Sequence, residues 1–265
     1  MTTLSDAFAA ARADDRALLI GYLPAGFPTR TDAVAIIAAM VENGVDVVEV
    51  GLPYSDPLMD GPVIQSAVDQ ALAGGARIAD VMAMVRATAA AGAPALVMSY
   101  WNPIEKYGVE RFAAELADAG GVGVITPDLT PEESSAWQTA TDAYGLDRVF
   151  LVAPSSTDAR IVAVSDVTSG FVYAASTMGV TGVRTSVSGA AGGLVARVRA
   201  ATATPVCVGL GVSTADQAAE VAAYADGVIV GSAFIRAVQE ADSQAAARDA
   251  VGRLAAQLAV GVRRR

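Results

Sequence analysis

The chain has 265 residues, 53% of them hydrophobic, and carries 28 acidic against 18 basic side chains, a formal net charge of −10. That length suits one α/β barrel with a large core, and an acidic surface opposes nucleic acid and anionic bilayers. With no histidine, one lysine (Lys106) and one cysteine (Cys207), a His-dependent triad, zinc sites of His and Cys and an intrachain disulfide are excluded, which leaves proton transfer to carboxylates or tyrosines.

The N-terminus lacks the basic-then-apolar run of a signal peptide, and the single cysteine suits a reducing compartment, so a cytoplasmic location is expected. A first helix is predicted over 4–13. Eight short runs rich in Val, Ile and Leu follow, at 18–22, 45–50, 95–100, 122–126, 148–152, 171–175, 205–208 and 227–230. Nearly all are apolar on both parities, as parallel strands buried on both faces are. Ala-rich helical segments long enough for a crossover lie between them. Gly44, Gly92 and Gly145 sit where helices should stop. Thr130-Pro131-Glu132-Glu133 reads as a helix start with a capping box, and Ser213-Thr214-Ala215-Asp216 is similar. The charge-free stretch 87–104 contains Gly92, Pro94, Asn102 and Pro103, and reads as helix end, strand and loop, not a membrane span. Lys106 is expected as a solvated lysine at a polar helix start. A long helix closes the chain from about 243 to 262, and Arg263, Arg264 and Arg265 are expected as a solvated tail. No linker or composition shift divides these units. The pattern predicts one domain, 1–265, folded as a (β/α)8 TIM barrel with an additional N-terminal helix. An open Rossmann-like sheet is the alternative, but the first strand–helix junction, Gly21 to Gly26, holds no G-x-G-x-x-G.

In a closed barrel the active site lies at the C-terminal ends of the strands. Glu49 falls there, in an otherwise apolar run. A buried carboxylate is costly unless paired or neutralised, and desolvation moves its pKa towards the range useful for acid–base work. Two readings stand for Glu49, an ion pair with an arginine or a proton-transfer group, and its place in the barrel favours the second. Asp60 follows in a proline-stiffened loop closed by Gly61, where a carboxylate in a more polar setting would divide acid and base roles with Glu49. A turn or cap aspartate is the plainer reading for Asp60 alone, and for Asp56 at the loop tip, whose place suits an interface. The last three strand ends are glycine-rich: Gly179-Val180-Thr181-Gly182, Gly209-Leu210-Gly211 and Gly231-Ser232. Glycine lets backbone amides approach an anion, and barrel phosphate sites are often built from these last loops. The small, polar segment 183–193 reads as a lid or an ordinary flexible loop. Tyr22, Tyr100 and Tyr173 lie at strand ends, where each lines the mouth or packs as core. Cys207 reads as inert packing.

Glu49 followed by Gly51-Leu52-Pro53-Tyr54-Ser55-Asp56-Pro57, then Asp60-Gly61-Pro62-Val63-Ile64-Gln65, resembles the signature of the tryptophan synthase alpha subunit family. Tyr22-Leu23-Pro24-Ala25-Gly26-Phe27-Pro28, the Ser176 to Gly182 segment and Gly209-Leu210-Gly211-Val212-Ser213 are similar to it too, in the same order. The resemblance implies a lyase of tryptophan biosynthesis that cleaves indole-3-glycerol phosphate, by a retro-aldol reaction, to indole and glyceraldehyde 3-phosphate. Breaking that bond calls for protonation at indole C3, loss of the indole N–H proton and deprotonation of the adjacent hydroxyl. By resemblance, Glu49 shuttles protons at C3 and the hydroxyl, Asp60 meets the ring nitrogen, and Tyr173 helps position them. Gly182, Gly211, Gly231 and Ser232 hold the phosphate, and Thr181 reaches Asp60 when the lid closes. Tyr22, Ile64, Tyr100, Ile125 and Leu210 flank the indole. A beta subunit carrying pyridoxal phosphate is the implied partner, in an α2β2 heterotetramer, meeting Asp56, Pro57 and Asn102. No metal or cofactor is expected in this chain. Thr177 and Leu210 depart from residues common in the family, where arginine and an aromatic occur. A partner-independent indole-producing lyase, a phosphate-sugar isomerase and a non-catalytic barrel that only activates a partner are the competing readings.

Overall fold

The computed structural model describes residues 2–175, 189–209 and 211–264. Its strands are β1 (Leu18–Pro24), β2 (Val47–Gly51), β3 (Ala95–Met98), β4 (Gly123–Ile125), β5 (Asp147–Val149), β6 (Leu151–Val152), β7 (Val172–Ala175), β8 (Val206–Gly209) and β9 (Gly227–Val230). They form one parallel sheet in the order β5-β4-β3-β2-β1-β9-β8-β7-β6. The two ends of that order are one stretch of chain, because only Phe150 separates β5 from β6. β5 pairs with β4 and β6 with β7, so the predicted fifth strand hands over from one neighbour to the other and closes the barrel. Eight predicted strands thus become nine, with the expected architecture intact.

The register decides what points inward. Tyr22 sits opposite Glu49, Glu49 opposite Leu96, Met98 opposite Ile125, and Tyr173 opposite both Leu151 and Cys207. Alternate residues share a face. Leu18, Ile20, Val47, Leu96, Ile125, Val149, Phe171, Cys207 and Ile229 therefore pack inside the barrel as one cluster. The first helix, Leu4–Ala13, carries Leu4, Ala7, Phe8 and Ala11 into that cluster. Phe8 meets Phe171 edge-on at 6.1 Å. Because Phe171 precedes β7, this helix plugs the N-terminal end of the barrel. It starts at a capping box between Thr3 and Asp6, which satisfies two amides that the first turn leaves unpaired. A second, larger core fills the layer between strands and outer helices.

Several boundaries differ from the sequence reading. β2 starts at Val47 because the Asp46 carboxylate is engaged elsewhere: Oδ2 accepts from the Leu19 N–H at 2.8 Å, and both oxygens accept from Arg16, at 2.8 and 2.9 Å. β3 stops at Met98 because Tyr100 already caps the helix Trp101–Tyr107. Thr130 makes no side-chain cap; Pro131–Glu133 forms a 3-10 turn before the helix Ser135–Tyr144. At the later site the cap is Thr214, whose hydroxyl accepts from Gln217, not Ser213. Lys106 lies exposed in the last turn of its helix, not at the start. Arg263 and Arg264 are exposed, as expected of a solvated tail, and Arg264 makes a surface ion pair with Asp216 at 2.6 Å. Of the expected loop 183–193, residues 189–193 belong to the helix Gly189–Ala201 and 183–188 lie outside the described residues. Among the described residues, no helix is long and apolar enough to cross a membrane.

Candidate active site

Strand parity turns Glu49, third of the five residues of β2, into the barrel interior on the same face as Val47, two residues nearer the C-terminal end. It is 1% exposed. No ion pair reaches it among the described residues, and its Oε1 is buried without a hydrogen-bond partner. Among the described residues, no arginine pairs with this acid. Desolvation alone pushes its pKa from 4.5 up to about 8, because an apolar surround disfavours the charged form. At neutral pH the group is mostly the neutral acid. A buried carboxyl with an oxygen aimed at nothing is expensive, and such groups ask for an explanation in function.

Asp60 is held differently. It lies at the end of the loop after β2, just before the helix Pro62–Ala73, whose N-cap is Gly61. Its side chain is buried, but its Oδ1 accepts a hydrogen bond from the Tyr100 hydroxyl at 2.9 Å. Burial raises its pKa and the Tyr100 hydrogen bond opposes that rise. Its backbone oxygen accepts from the Gln65 side chain at 2.8 Å. A glutamine in the first turn of a proline-started helix is the sequence signal that marks Gln65 as a fastener.

Three tyrosines complete the rim. Tyr22 is buried, and its phenol is pushed well above its ordinary value, first by desolvation and then by the charges of Asp60, Tyr100, Glu49 and Tyr173. Those four groups thus surround one ring. Tyr173 is raised by desolvation and by Glu49. Both rings rest on glycine. A methyl added at Gly51 would collide with the Tyr22 hydroxyl, and one at Gly209 with the Tyr173 hydroxyl. Neither contact was legible in the sequence, because glycine's role here is the absence of an atom.

The other expected pocket residues fall as follows. Ile64 is buried on the face of the helix Pro62–Ala73, and Ile125 is the last residue of β4, inside the barrel. Gly231 lies beside the ring of Tyr22, on the same rim as the acids. It is the N-cap of the helix Ser232–Gln239, supplies no side-chain cap, and is followed by a buried Ser232. Gly211 has φ +68, a left-handed conformation that side-chain-bearing residues adopt only with strain. Thr177, Thr181, Gly182 and Leu210 lie outside the described residues. On the outer rim, Asn102 donates to the Tyr54 hydroxyl at 3.1 Å, Ser55 donates to Asp56 at 2.6 Å, and Leu58, beside Pro57, is 71% exposed. Among the described residues, no three His, Cys, Asp or Glu side chains cluster as a metal site.

Comparison with known proteins identifies the family. The family profile described as tryptophan synthase alpha chain matches residues 8–262. The tryptophan synthase alpha chain of Streptomyces coelicolor is 61% identical over 261 residues, covering 98% of this chain and 96% of that one. That of Thermobifida fusca is 59% identical over 266 residues, covering 99% and 98%. A solved structure of Mycobacterium tuberculosis tryptophan synthase superposes with a TM-score of 0.93 at 52% identity, covering 99% of each chain. The chain belongs to the tryptophan synthase alpha chain family.

Proposed function

We propose that this chain, as a single catalytic domain over 1–265, is the lyase of its family, cleaving indole-3-glycerol phosphate to indole and glyceraldehyde 3-phosphate in tryptophan biosynthesis. The observation that carries the reading is Glu49, buried, unpaired and largely protonated at neutral pH, at the mouth of a barrel whose opposite end is plugged. A neutral carboxylic acid facing an indole C3 can protonate it. The ring then carries positive charge at N1 and keeps its N–H, stabilised by the Asp60 carboxylate; contrary to the sequence-based expectation, the balance needs no loss of that proton. Glu49, now a carboxylate, takes the proton of the side-chain hydroxyl. The C–O bond becomes a carbonyl, the adjacent C–C bond breaks, and its electrons return to the ring. Glu49 ends protonated, as it began, and no external oxidant or reductant is needed.

Tyr173 positions the reacting chain beside Glu49, while Tyr22, Ile64, Tyr100, Ile125 and Leu210 enclose the indole. The phosphate lies at Gly182, Gly211, Gly231 and Ser232, where an uncapped helix start offers backbone amides to an anion. Thr181 would close on Asp60. On the outer face, exposed Leu58 between Asp56, Pro57 and Asn102 is the surface we assign to a beta subunit in an α2β2 assembly. The pyridoxal phosphate belongs to that partner; the one lysine here, Lys106, is exposed. Cys207 is free and buried, which suits a cytoplasmic protein. The test is a spectroscopic assay of indole release from indole-3-glycerol phosphate, with and without the beta subunit. Indole in step with substrate consumption supports the reading; none under either condition overturns it.

A further inference from the structure

From the hydrogen bonds at the β3 terminus we infer that Tyr100 is more than a wall of the pocket: its hydroxyl is a positioning group that fixes which oxygen of Asp60 faces the substrate and keeps that carboxylate ionised. The inference rests on the proposed role of Asp60.

The Tyr100 hydroxyl meets the loop after β2 at Asp60 and at the backbone amides of Met59 and Leu58. The Met59 backbone N–H donates to it at 3.0 Å, and it lies 2.9 Å from Asp60 Oδ1. A hydroxyl has a single proton and rotates to suit its partners. Because the Met59 amide is itself a donor, the phenol oxygen must accept there, and its proton is directed to Oδ1. A donor aimed at a carboxylate stabilises the charged form, which opposes the rise that burial imposes on Asp60. Oδ1 is thereby engaged, while Oδ2 accepts from none of the described residues and is the oxygen left for an indole N–H.

The phenol is itself held in place. Tyr54 packs against its ring at 5.7 Å between centroids. Asn102, two residues further on, ties down the Tyr54 hydroxyl. Asp128, from the loop after β4, accepts the Trp101 N–H at 2.9 and 3.1 Å. Residues 100–102 therefore grip the loop after β2 at Tyr54, Met59 and Asp60, while the following loop grips them. A loop aspartate without such a clamp would sample several rotamers, and misplacement by an ångström is costly in catalysis. The titratable groups facing this pair are Tyr22 from β1 and Glu49 from β2, with Tyr54 beside Tyr100. None of them is a cation, so the phenol proton is the group among the described residues that favours the ionised form of Asp60.

The experiment compares wild type, Tyr100→Phe, Asp60→Asn and a chain carrying difluorotyrosine at 100, by pH profiles of kcat and kcat/KM for indole release. Melting temperatures verify folding. Tyr100→Phe should lower kcat about tenfold with KM nearly unchanged, the loss expected of one hydrogen bond to a charged group. The acidic limb of its profile should move to higher pH. Difluorotyrosine, a more acidic phenol of nearly the same shape, should move that limb to lower pH, which packing alone would not do. A limb that stays in place in both variants overturns the proposal, as does an undiminished kcat in Tyr100→Phe. If Asp60→Asn cleaves as well as wild type, the role of Asp60 itself falls, and the proposal with it. A normal Asp60→Asn loss with unmoved Tyr100 variants sinks the proposal alone.

Discussion

Two carboxylates three residues apart, Asp46 just before β2 and Glu49 at its middle, are treated in opposite ways. Asp46 accepts two hydrogen bonds from Arg16 and one from the Leu19 amide. Every strong demand of that charge is met, and the group ties the turn before β1 to the start of β2. Glu49, turned into the barrel, is buried with an oxygen that meets no donor among the described residues. Satisfied charge makes architecture, whereas a carboxyl held unsatisfied and neutral keeps a proton available for chemistry. Burial by itself separates neither case; the partners do.

The comparison breaks most readily at Glu49. Glu49→Gln keeps shape and neutrality but removes the proton, so indole release should slow about 10³-fold, the scale of a lost acid–base group. Affinity for a non-cleavable indole-alkyl phosphate should change little, because the phosphate and indole contacts remain. Equilibrium binding beside single-turnover cleavage checks both halves. At the other carboxylate, Arg16→Ala leaves Asp46 partly buried and unpaired, which should cost about 3 kcal/mol of folding stability. Turnover per folded molecule should persist. Denaturant unfolding with an activity assay decides this, and a loss of turnover without loss of stability would blur the two cases.

A smaller effect has the opposite sign. The folded-state pKa of Glu49, about 8, lies above its unfolded value of 4.5. Its contribution to stability is therefore fully present below pH 4.5 and is lost progressively as the pH rises through 8. Glu49→Gln should be the more stable protein above that pH and little different below pH 4.5. Thermal melts at both pH values test it. The smallest expected change is at the phosphate rim. Gly211→Ala forces a side-chain-bearing residue into φ +68 and should cost about 1 kcal/mol, with inorganic phosphate or phosphate-ester binding weakened several-fold in titration calorimetry.

Elements that rest on local pattern were readable from the chain. The first helix, Leu4–Ala13, and the strand Gly227–Val230 fall where their apolar spacing and flanking turns put them. Glu49 stood out because a carboxylate is unusual on an apolar run, and Asp60 because it lies in the proline-stiffened loop that follows. What escaped the sequence depends on partners distant along the chain. The Arg16 grip on Asp46 spans 30 residues and the Tyr100 bond to Asp60 spans 40, and no local spacing encodes either. The division of the fifth strand at Phe150 follows from closing the barrel, where one segment must serve two neighbours. The collisions awaiting any side chain at Gly51 or Gly209 exist only once Tyr22 and Tyr173 lie across them.

The protonation of Glu49 is open to direct observation by infrared difference spectroscopy, subtracting Glu49→Gln from the unaltered protein across a pH titration. The band of a neutral carboxylic acid should be present at neutral pH and disappear with a midpoint near 8. A carboxylate band already complete in mild acid would mean that the group carries charge when substrate arrives, and could not supply the proton on which cleavage depends.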